Sequence, residues 1–302
     1  MSLLALLFAL VCERGLTHLL HLREWRWLDA YFDWADRALA GRTGAPVVLA
    51  AILMLALPVL PVMAVAYWLG PQLLGLLQFA FSVLVLLFAF GPRDLKDEVD
   101  DYAAALERHD RDEALRRGKE LLESSPSAYG LGAREAVEEA IFIQANNRIF
   151  GVVFWFMLLG AGGAWAYRVS DMLRRRAAFE AARQGLKREP RDLGSVLVFL
   201  HGLMAWAPAR LTALAYALAG SFEDGVGNWR SAVDRAAGGG VLERAEDLLA
   251  RVGKGSLQPS LAAVDPERID VATARGAWRI VRRALWIWVA AIALLVITGA
   301  AV

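Results

Sequence analysis

Glu139, Asn146, Asn147 and Arg148 stand just ahead of a run of 19 uncharged residues, Ile149 to Tyr167, and Arg168 and Asp171 stand just behind it. Amide and guanidinium groups bind carboxylates, amides and phosphates through directed hydrogen bonds. They cannot act as a general base, so only the two carboxylates could take a proton from a nucleophile. On a helix Glu139, Ile143 and Asn146 share one stripe (i, i+4, i+7), with an apolar side chain between the acid and the amide. Magnesium carrying a triphosphate wants carboxylate ligands and retained waters, and this stripe offers a single acid. The residue types therefore point to binding of a small anionic or amide-containing ligand. No catalytic residue, metal site or cofactor is expected.

The elements that must position these groups are membrane segments. At about 1.5 Å rise per residue, the uncharged run just crosses a hydrocarbon core of about 30 Å. Gly160, Gly162 and Gly163 fall in its middle, where glycine weakens a helix most. This predicts a broken, re-entrant pair of half-helices, which is tolerated at membrane depth when buried in protein. A second apolar stretch, Leu193 to Gly220, contains Trp206-Ala-Pro208-Ala-Arg210. A Pro and an Arg in mid-segment predict a second break. Two broken segments would bring their polar ends to one side. Glu139, Asn146, Asn147, Arg148, Tyr167, Arg168, Asp171 and Arg210 are therefore expected to line one cytoplasm-facing cavity. A charge at the depth of Arg210 needs a partner, and Glu139 and Asp171 are the candidates.

Composition agrees with a membrane protein. The chain is 57% apolar with 11 Trp and a positive mean hydropathy, which excludes an ordinary soluble domain. Its 33 basic and 32 acidic residues nearly cancel, so no nucleic-acid partner is expected. The single Cys12 excludes an internal disulfide.

The chain divides as one membrane domain, 1–302, with distinct parts. Residues 1–42 predict interfacial helices, with Trp25, Trp27, Tyr31, Phe32 and Trp34 at headgroup depth. The apolar start, Ser2 to Cys12, is too short to span and lacks the basic flank and cleavage site of a signal peptide. Residues 45–91 predict a transmembrane hairpin: Ala45 to Leu69, kinked by Pro58 and Pro61, a turn at Gly70-Pro71, and a return from Gln72. Residues 93–148 predict soluble helices, because Val99, Tyr102, Ala103 and Leu106 recur at helical spacing. Their charge-dense run from Asp94 to Glu123 reads as a solvated face. Residues 149–220 form the broken core. Residues 221–283 read as short cytoplasmic helices separated by glycines, with Asp265-Pro266 as an N-cap and first-turn pair. Residues 284–302 form a last span.

Every Lys and Arg lies within 14–42, 93–148, 168–254 or 268–283. If both broken segments fail to cross, all basic residues share one side, and the positive-inside rule makes that side the cytoplasm. The competing topology lets 149–167 span and places 93–148 outside. That loop carries 9 basic and 14 acidic residues, so charge does not exclude it.

Other motifs carry little. Arg14, His18 and His21 share a helix face that suits a metal or phosphate, but snorkelling groups on an interfacial helix explain them as well. Gly253-Lys254-Gly-Ser256 ends like a phosphate loop, yet position 248 is Leu, so G-x-x-x-x-G-K fails. No HExxH, GxSxG or paired-Cys motif is present.

Trp206-Ala-Pro-Ala-Arg-Leu-Thr-Ala-Leu-Ala-Tyr-Ala-Leu-Ala-Gly220 resembles the "PARLTALLLALAG" signature of the AmpE and CobD/CbiB membrane-protein superfamily. Phe154-Trp155, the glycine break and Tyr167-Arg168 follow in the same order as in that family. Glu13-Arg14 and Trp229 look like the AmpE branch, which adds Glu13 to the ligand-binding set. The resemblance implies one of two functions. AmpE-like proteins are inner-membrane components tied to β-lactamase induction and cell-wall recycling, beside a cytoplasmic muropeptide amidase. CobD/CbiB relatives are enzymes that join an aminopropanol unit to cobyric acid through an amide, using ATP. Where those enzymes read like "ESLAENLSD", this chain keeps Glu139 but has Ile143 for the second acid and Asn147 for the Asp. Their "NTLD" becomes Asp171-Met-Leu-Arg174, so its acid is a base here.

The expectation is an all-α, polytopic integral membrane protein of the bacterial inner membrane, acting as a non-enzymatic sensor or modulator of cell-wall recycling and β-lactamase induction. Its partners would be the lipid bilayer, a muropeptide amidase and an unidentified small molecule, with a homo-oligomer left open. The alternatives are an amide-forming synthase similar to CobD/CbiB and a muropeptide transporter, the latter suggested by the broken helices.

Overall fold

The computed structural model describes residues 4–9, 26–39, 42–69, 75–90, 94–122, 133–184, 192–235, 240–262 and 264–298. Glu13, the Arg14/His18/His21 face and the Gly70-Pro71 turn lie outside them. Every element among the described residues is helical: α1 (Arg26–Ala38), α2 (Ala45–Leu69), α3 (Leu76–Ala89), α4 (Leu95–Glu107), α5 (Arg111–Leu122), α6 (Ala133–Ala145), a π-helical turn (Asn146–Phe150), α7 (Gly151–Gln184), α8 (Leu193–Ala219), α9 (Phe222–Arg235), α10 (Val241–Leu261), a 3-10 turn (Pro266–Arg268) and α11 (Ile269–Ile297). The helices within 45–69, 134–181, 193–219 and 266–297 are long and apolar enough to cross a membrane. The chain is an all-α, multi-pass membrane protein. Two compact units form, one from 1–92, 151–204 and 301–302, the other from 93–150 and 205–300.

In the first unit, α7 packs against α1, α2 and α3. Helix α2 has no charged residue; it buries Val47, Ala51 and Met54 at helical spacing and leaves Leu49, Leu53, Leu57 and Leu60 exposed. An exposed apolar stripe of that length is a lipid-facing surface. Since lipid is as apolar as leucine, close packing of small residues holds such helices together. Gly162 accordingly lies against Met63 of α2, and Ala161 and Trp165 sit in the shared core. The Trp165 indole donates to the Pro58 carbonyl at 3.0 Å, in the stretch of α2 where Pro58 and Pro61 each lack an N–H donor.

Helix α7 turns back on itself. Gly160 has φ 65° and ψ −154°, a conformation essentially confined to glycine. Gly163 lies against the Trp155 backbone, and Gly151 against the Tyr167 ring. In a straight helix Gly151 and Tyr167 would stand about 24 Å apart, so the chain reverses between them. The glycine break was legible in the sequence, and the helix turns at Gly160 within the apolar run. Gly160→Ala is expected to cost about 1–3 kcal/mol, seen as a lower melting temperature in detergent. An unchanged melting temperature would mean that the chain does not turn at this residue.

Pro208 behaves differently from the expected break: α8 continues through it as one helix of 27 residues. The likeness of a helix-breaking motif to a real break depends on whether neighbours can re-satisfy the freed groups.

In the second unit, α10 packs against α6, α9 and α11, and α11 also against α4 and α6. Asp94 caps α4 by accepting from the Lys96 N–H at 2.9 Å, and the expected face Val99, Tyr102, Ala103 is buried. Asp265 likewise accepts from the Glu267 N–H at 3.1 Å, with Pro266 in the first turn, as its sequence predicts. Helix α10 is longer than expected, because Gly253 and Gly255 do not end it. The Phe142 ring of α6 occupies the space a side chain at Gly253 would need. The Gly253-Lys254-Gly-Ser256 stretch is therefore helical and is no phosphate loop.

Candidate functional site

The expected residues fall into two sets, one in each unit. In the second unit the first set is built on the end of α6. After Ala145 the helix widens into the π-turn, a feature common at functional sites. Asn146, Asn147 and Arg148 are all buried there. Arg148 Nη1 donates to both carboxylate oxygens of Glu98 on α4, at 3.0 and 2.9 Å, and its Nε donates to Gln144 Oε1 at 3.2 Å. Asn146 Oδ1 accepts from Thr212 Oγ1 of α8 at 3.1 Å, while its amide donates to Asn147 Oδ1 at 3.4 Å. The Tyr216 hydroxyl donates to the Phe142 carbonyl at 2.9 Å. Charge-assisted and neutral hydrogen bonds thus fasten the end of α6 to two other helices.

One turn further back, Glu139 is reachable. Its side chain is 18% exposed and accepts from Lys254 Nζ of α10 at 3.1 Å. Ile143, between Glu139 and Asn146 on the stripe, is buried. Glu138, beside Glu139, is buried too.

Arg210 does not form the expected pair. It is partly exposed, donates to the carbonyl of Trp206 on its own helix at 2.9 Å, and lies 4.0 Å over the Trp206 ring. Glu139 is taken by Lys254, and Asp171 is surrounded by arginines of its own helix. The pairing fails because a long guanidinium stem reaches the nearest carbonyl and aromatic face at its own helix surface. Arg210→Met is expected to change stability by no more than about 1 kcal/mol, since an exposed cation–π contact is worth about 0.5–1 kcal/mol. A drop several times larger in thermal unfolding would restore a buried role.

In the first unit the second set centres on Asp171, whose side chain is fully buried. Arg174 Nη2 donates to Oδ1 at 2.8 Å, Arg175 Nη2 lies 2.7 Å from Oδ2, and Arg168 Nη1 donates to Oδ2 at 3.4 Å. Spacing of three and four residues places these groups one turn away on each side. His201 of α8, also fully buried, brings Nε2 to 3.9 Å from Asp171 Oδ1. Its Nδ1 is 3.0 Å from Ser170 Oγ, and that hydroxyl donates to the Tyr167 carbonyl at 2.7 Å. The Tyr167 ring packs on the imidazole at 5.1 Å between centroids.

A cavity of about 680 Å³ lies elsewhere in the second unit, between α4, α5, α6 and the start of α11, lined among others by Tyr102, His109, Lys119, Arg134 and Asp270. None of the sequence-expected residues borders it.

Glu98, Lys254, Thr212 and His201 were missed. Glu98 sits in a charged run read as solvated, yet it falls on the buried stripe Leu95, Glu98, Val99, Tyr102; that register could have found it. His201 is the one ionisable residue between Leu193 and Ala209, which marks it as functional or paired. Lys254 was hidden in a failed motif, and Thr212 gives no signal.

The chain matches the family described as CobD/Cbib protein over residues 6–243. A protein of Stutzerimonas stutzeri named cobalamin biosynthesis protein CobD is 32% identical over 176 residues, covering 58% of this chain and 55% of its own length. A protein of the same name from Chromobacterium violaceum is 29% identical over 231 residues, covering 72% of this chain and 71% of its own. No solved structure matches. These findings overturn the expectation of a sensor of cell-wall recycling and β-lactamase induction, and favour the amide-forming alternative. The expectation rested on acids missing from particular positions. A helix position that loses its acid still has carboxylates around it, as Glu98 beside Arg148 and Asp171 beside Arg174 show.

Proposed function

The chain belongs to the CobD/Cbib protein family, and from that premise we propose that it is a membrane-embedded, amide-forming synthase that joins an aminopropanol-type amine to a corrinoid carboxylate in cobalamin assembly. The observation that carries the reading is the family match over residues 6–243, and Glu139 is the side chain on which its chemistry would turn. It keeps the acid of the family's motif, and it stands at a reachable surface in an ion pair with Lys254.

Making an amide from a carboxylate requires that one carboxylate oxygen become a leaving group and that the attacking amine lose a proton. The resemblance supplies ATP as the activating co-substrate. With the acceptor carboxylate activated by ATP as an acyl phosphate, Glu139 can hold the ammonium form of the amine in place of Lys254 and take one proton from it, which frees the nitrogen lone pair; attack then forms the C–N bond, phosphate departs with the activated oxygen, and the nitrogen gives up a second proton. Asn146 and Arg148 serve as positioning residues, since their bonds to Thr212 and Glu98 fix the end of the helix that carries Glu139, and Asn147 accepts from the Asn146 amide. The membrane-capable helices support a bacterial inner-membrane location, where ATP is available on the cytoplasmic face.

Purified protein in nanodiscs, given ATP, aminopropanol and a cobyric-acid-type acceptor, should yield a product whose mass is acceptor plus amine less one water, with nucleotide consumed in step. Nucleotide left intact and no such product, across a panel of amines and corrinoid acids, defeats the synthase reading.

A further inference from the structure

We infer that a pocket at the charged end of α11 binds the headgroup of an anionic phospholipid carrying free hydroxyls, of the phosphatidylglycerol kind. The pocket, about 310 Å³, is lined by Ser221, Ser256, Ser260, Arg279, Ile280 and Arg283 among others.

Its charge is the first argument. Arg275, one turn earlier on α11, is neutralised by Glu107 at 2.7 Å. Arg279 and Arg283 share the next two turns of one face (i, i+4), are exposed, and enter no ion pair among the described residues. Arg283 spends one N–H on the carbonyl of Ala219, the last residue of α8, at 3.3 Å. That bond orients the guanidinium and leaves its remaining donors for an oxyanion.

Depth is the second argument. Ala284, the residue after Arg283, begins an uncharged stretch that runs to the end of α11, with Trp286, Leu294, Leu295 and Ile297 exposed. The pocket therefore sits where a helix passes from charge to hydrocarbon, with an exposed Trp beside it, which is headgroup level. A basic pocket beside a membrane-capable helix at this level suits a lipid phosphate.

The hydroxyls say which headgroup. Ser221 Oγ donates to Asp224 Oδ2 at 2.5 Å, Ser256 Oγ to the Val252 carbonyl at 2.7 Å and Ser260 Oγ to the Leu257 carbonyl at 2.7 Å. Ser256 is buried, but the accessible Ser221 and Ser260 oxygens, with their protons spent inside the protein, have only lone pairs to offer. Two arginines that take a phosphate, beside oxygens that accept from O–H groups, match a phosphoglycerol. The amine synthase reading is not needed for this site.

The test is native mass spectrometry and thermal unfolding of the full chain in detergent, titrated with phosphatidylglycerol, phosphatidic acid, phosphatidylcholine or inorganic phosphate. Phosphatidylglycerol should be retained and raise the melting temperature most, phosphatidic acid less, and phosphatidylcholine least. Arg279→Gln with Arg283→Gln should weaken phosphatidylglycerol binding about 30-fold, each charge near the surface being worth about fivefold. The same double variant should melt like wild type in phosphatidylcholine, which separates lost binding from lost folding. Equal retention of phosphatidylglycerol and phosphatidylcholine overturns the proposal. So does full stabilisation by inorganic phosphate alone, or an unaltered lipid preference in the double variant. A single variant, Arg282→Gln, is the control: it lies outside the pocket and should leave the preference in place.

Discussion

Glu139→Gln should lower kcat for amide formation by about 10²-fold or more, the usual scale for removing a positioned proton acceptor, and leave folding intact. The substitution is close to isosteric and keeps Oε1 as an acceptor for Lys254, which donates to it at 3.1 Å. With side chains 34% and 18% exposed, the pair itself contributes no more than about 1 kcal/mol to stability. The melting temperature should therefore hardly move while turnover collapses. KM for the amine should rise as well, because the neutral amide no longer attracts an ammonium. Lys254→Met is the companion. If the lysine only occupies the amine's place, its removal should leave kcat near wild type or raise it. Steady-state kinetics on reconstituted protein reads both. A wild type that makes amide and a Glu139→Gln variant that makes it equally well would remove Glu139 from the chemistry and leave the synthase reading standing.

The largest effect on stability is expected at Asp171. Its carboxylate is fully buried, and three guanidiniums meet it within 3.4 Å. Breaking a buried ion network by removing one member typically costs about 3–5 kcal/mol, since charge is left without its counter-ion. Asp171→Asn keeps the shape and removes the charge, so it isolates that cost. Tryptophan fluorescence or size-exclusion melting in detergent should show a steep loss of folded protein. The arginines should not be equivalent. Arg174, 2% exposed, should be costly to replace by Gln, whereas Arg175, 21% exposed, can be rehydrated and should cost less. A stable Asp171→Asn protein would mean that this cluster is not what holds α7 in place.

Much of this architecture is carried by local features of the chain. The exposed and buried stripes of α2 follow from an uncharged sequence of helical length. Asp94 and Asp265 cap helices because a short carboxylate reaches the free N–H groups two residues on. Gly160 marks a reversal because only glycine enters that backbone region without strain. In each case the cause lies within a few residues of the effect. Pro208 shows the edge of such reasoning, because α8 absorbs it and whether a helix can do so depends on what surrounds it.

The candidate site was legible only as a set of residues. Its connections were decided by tertiary structure. Arg148 meets Glu98 across 50 residues, Lys254 meets Glu139 across 115, and Arg176 meets Asp33 across 143. Long charged side chains have similar intrinsic affinity for any carboxylate, and the chain has 32 of them. Which one each finds is fixed by how the helices pack and which groups that packing cuts off from water, where a pair must form or a charge must stay outside. Sequence by itself determined that Glu139, Asn146, Asn147 and Arg148 would sit beside a broken membrane segment. Packing alone determined that three of them are buried and bonded, and that Glu139 is left partly exposed and paired with Lys254.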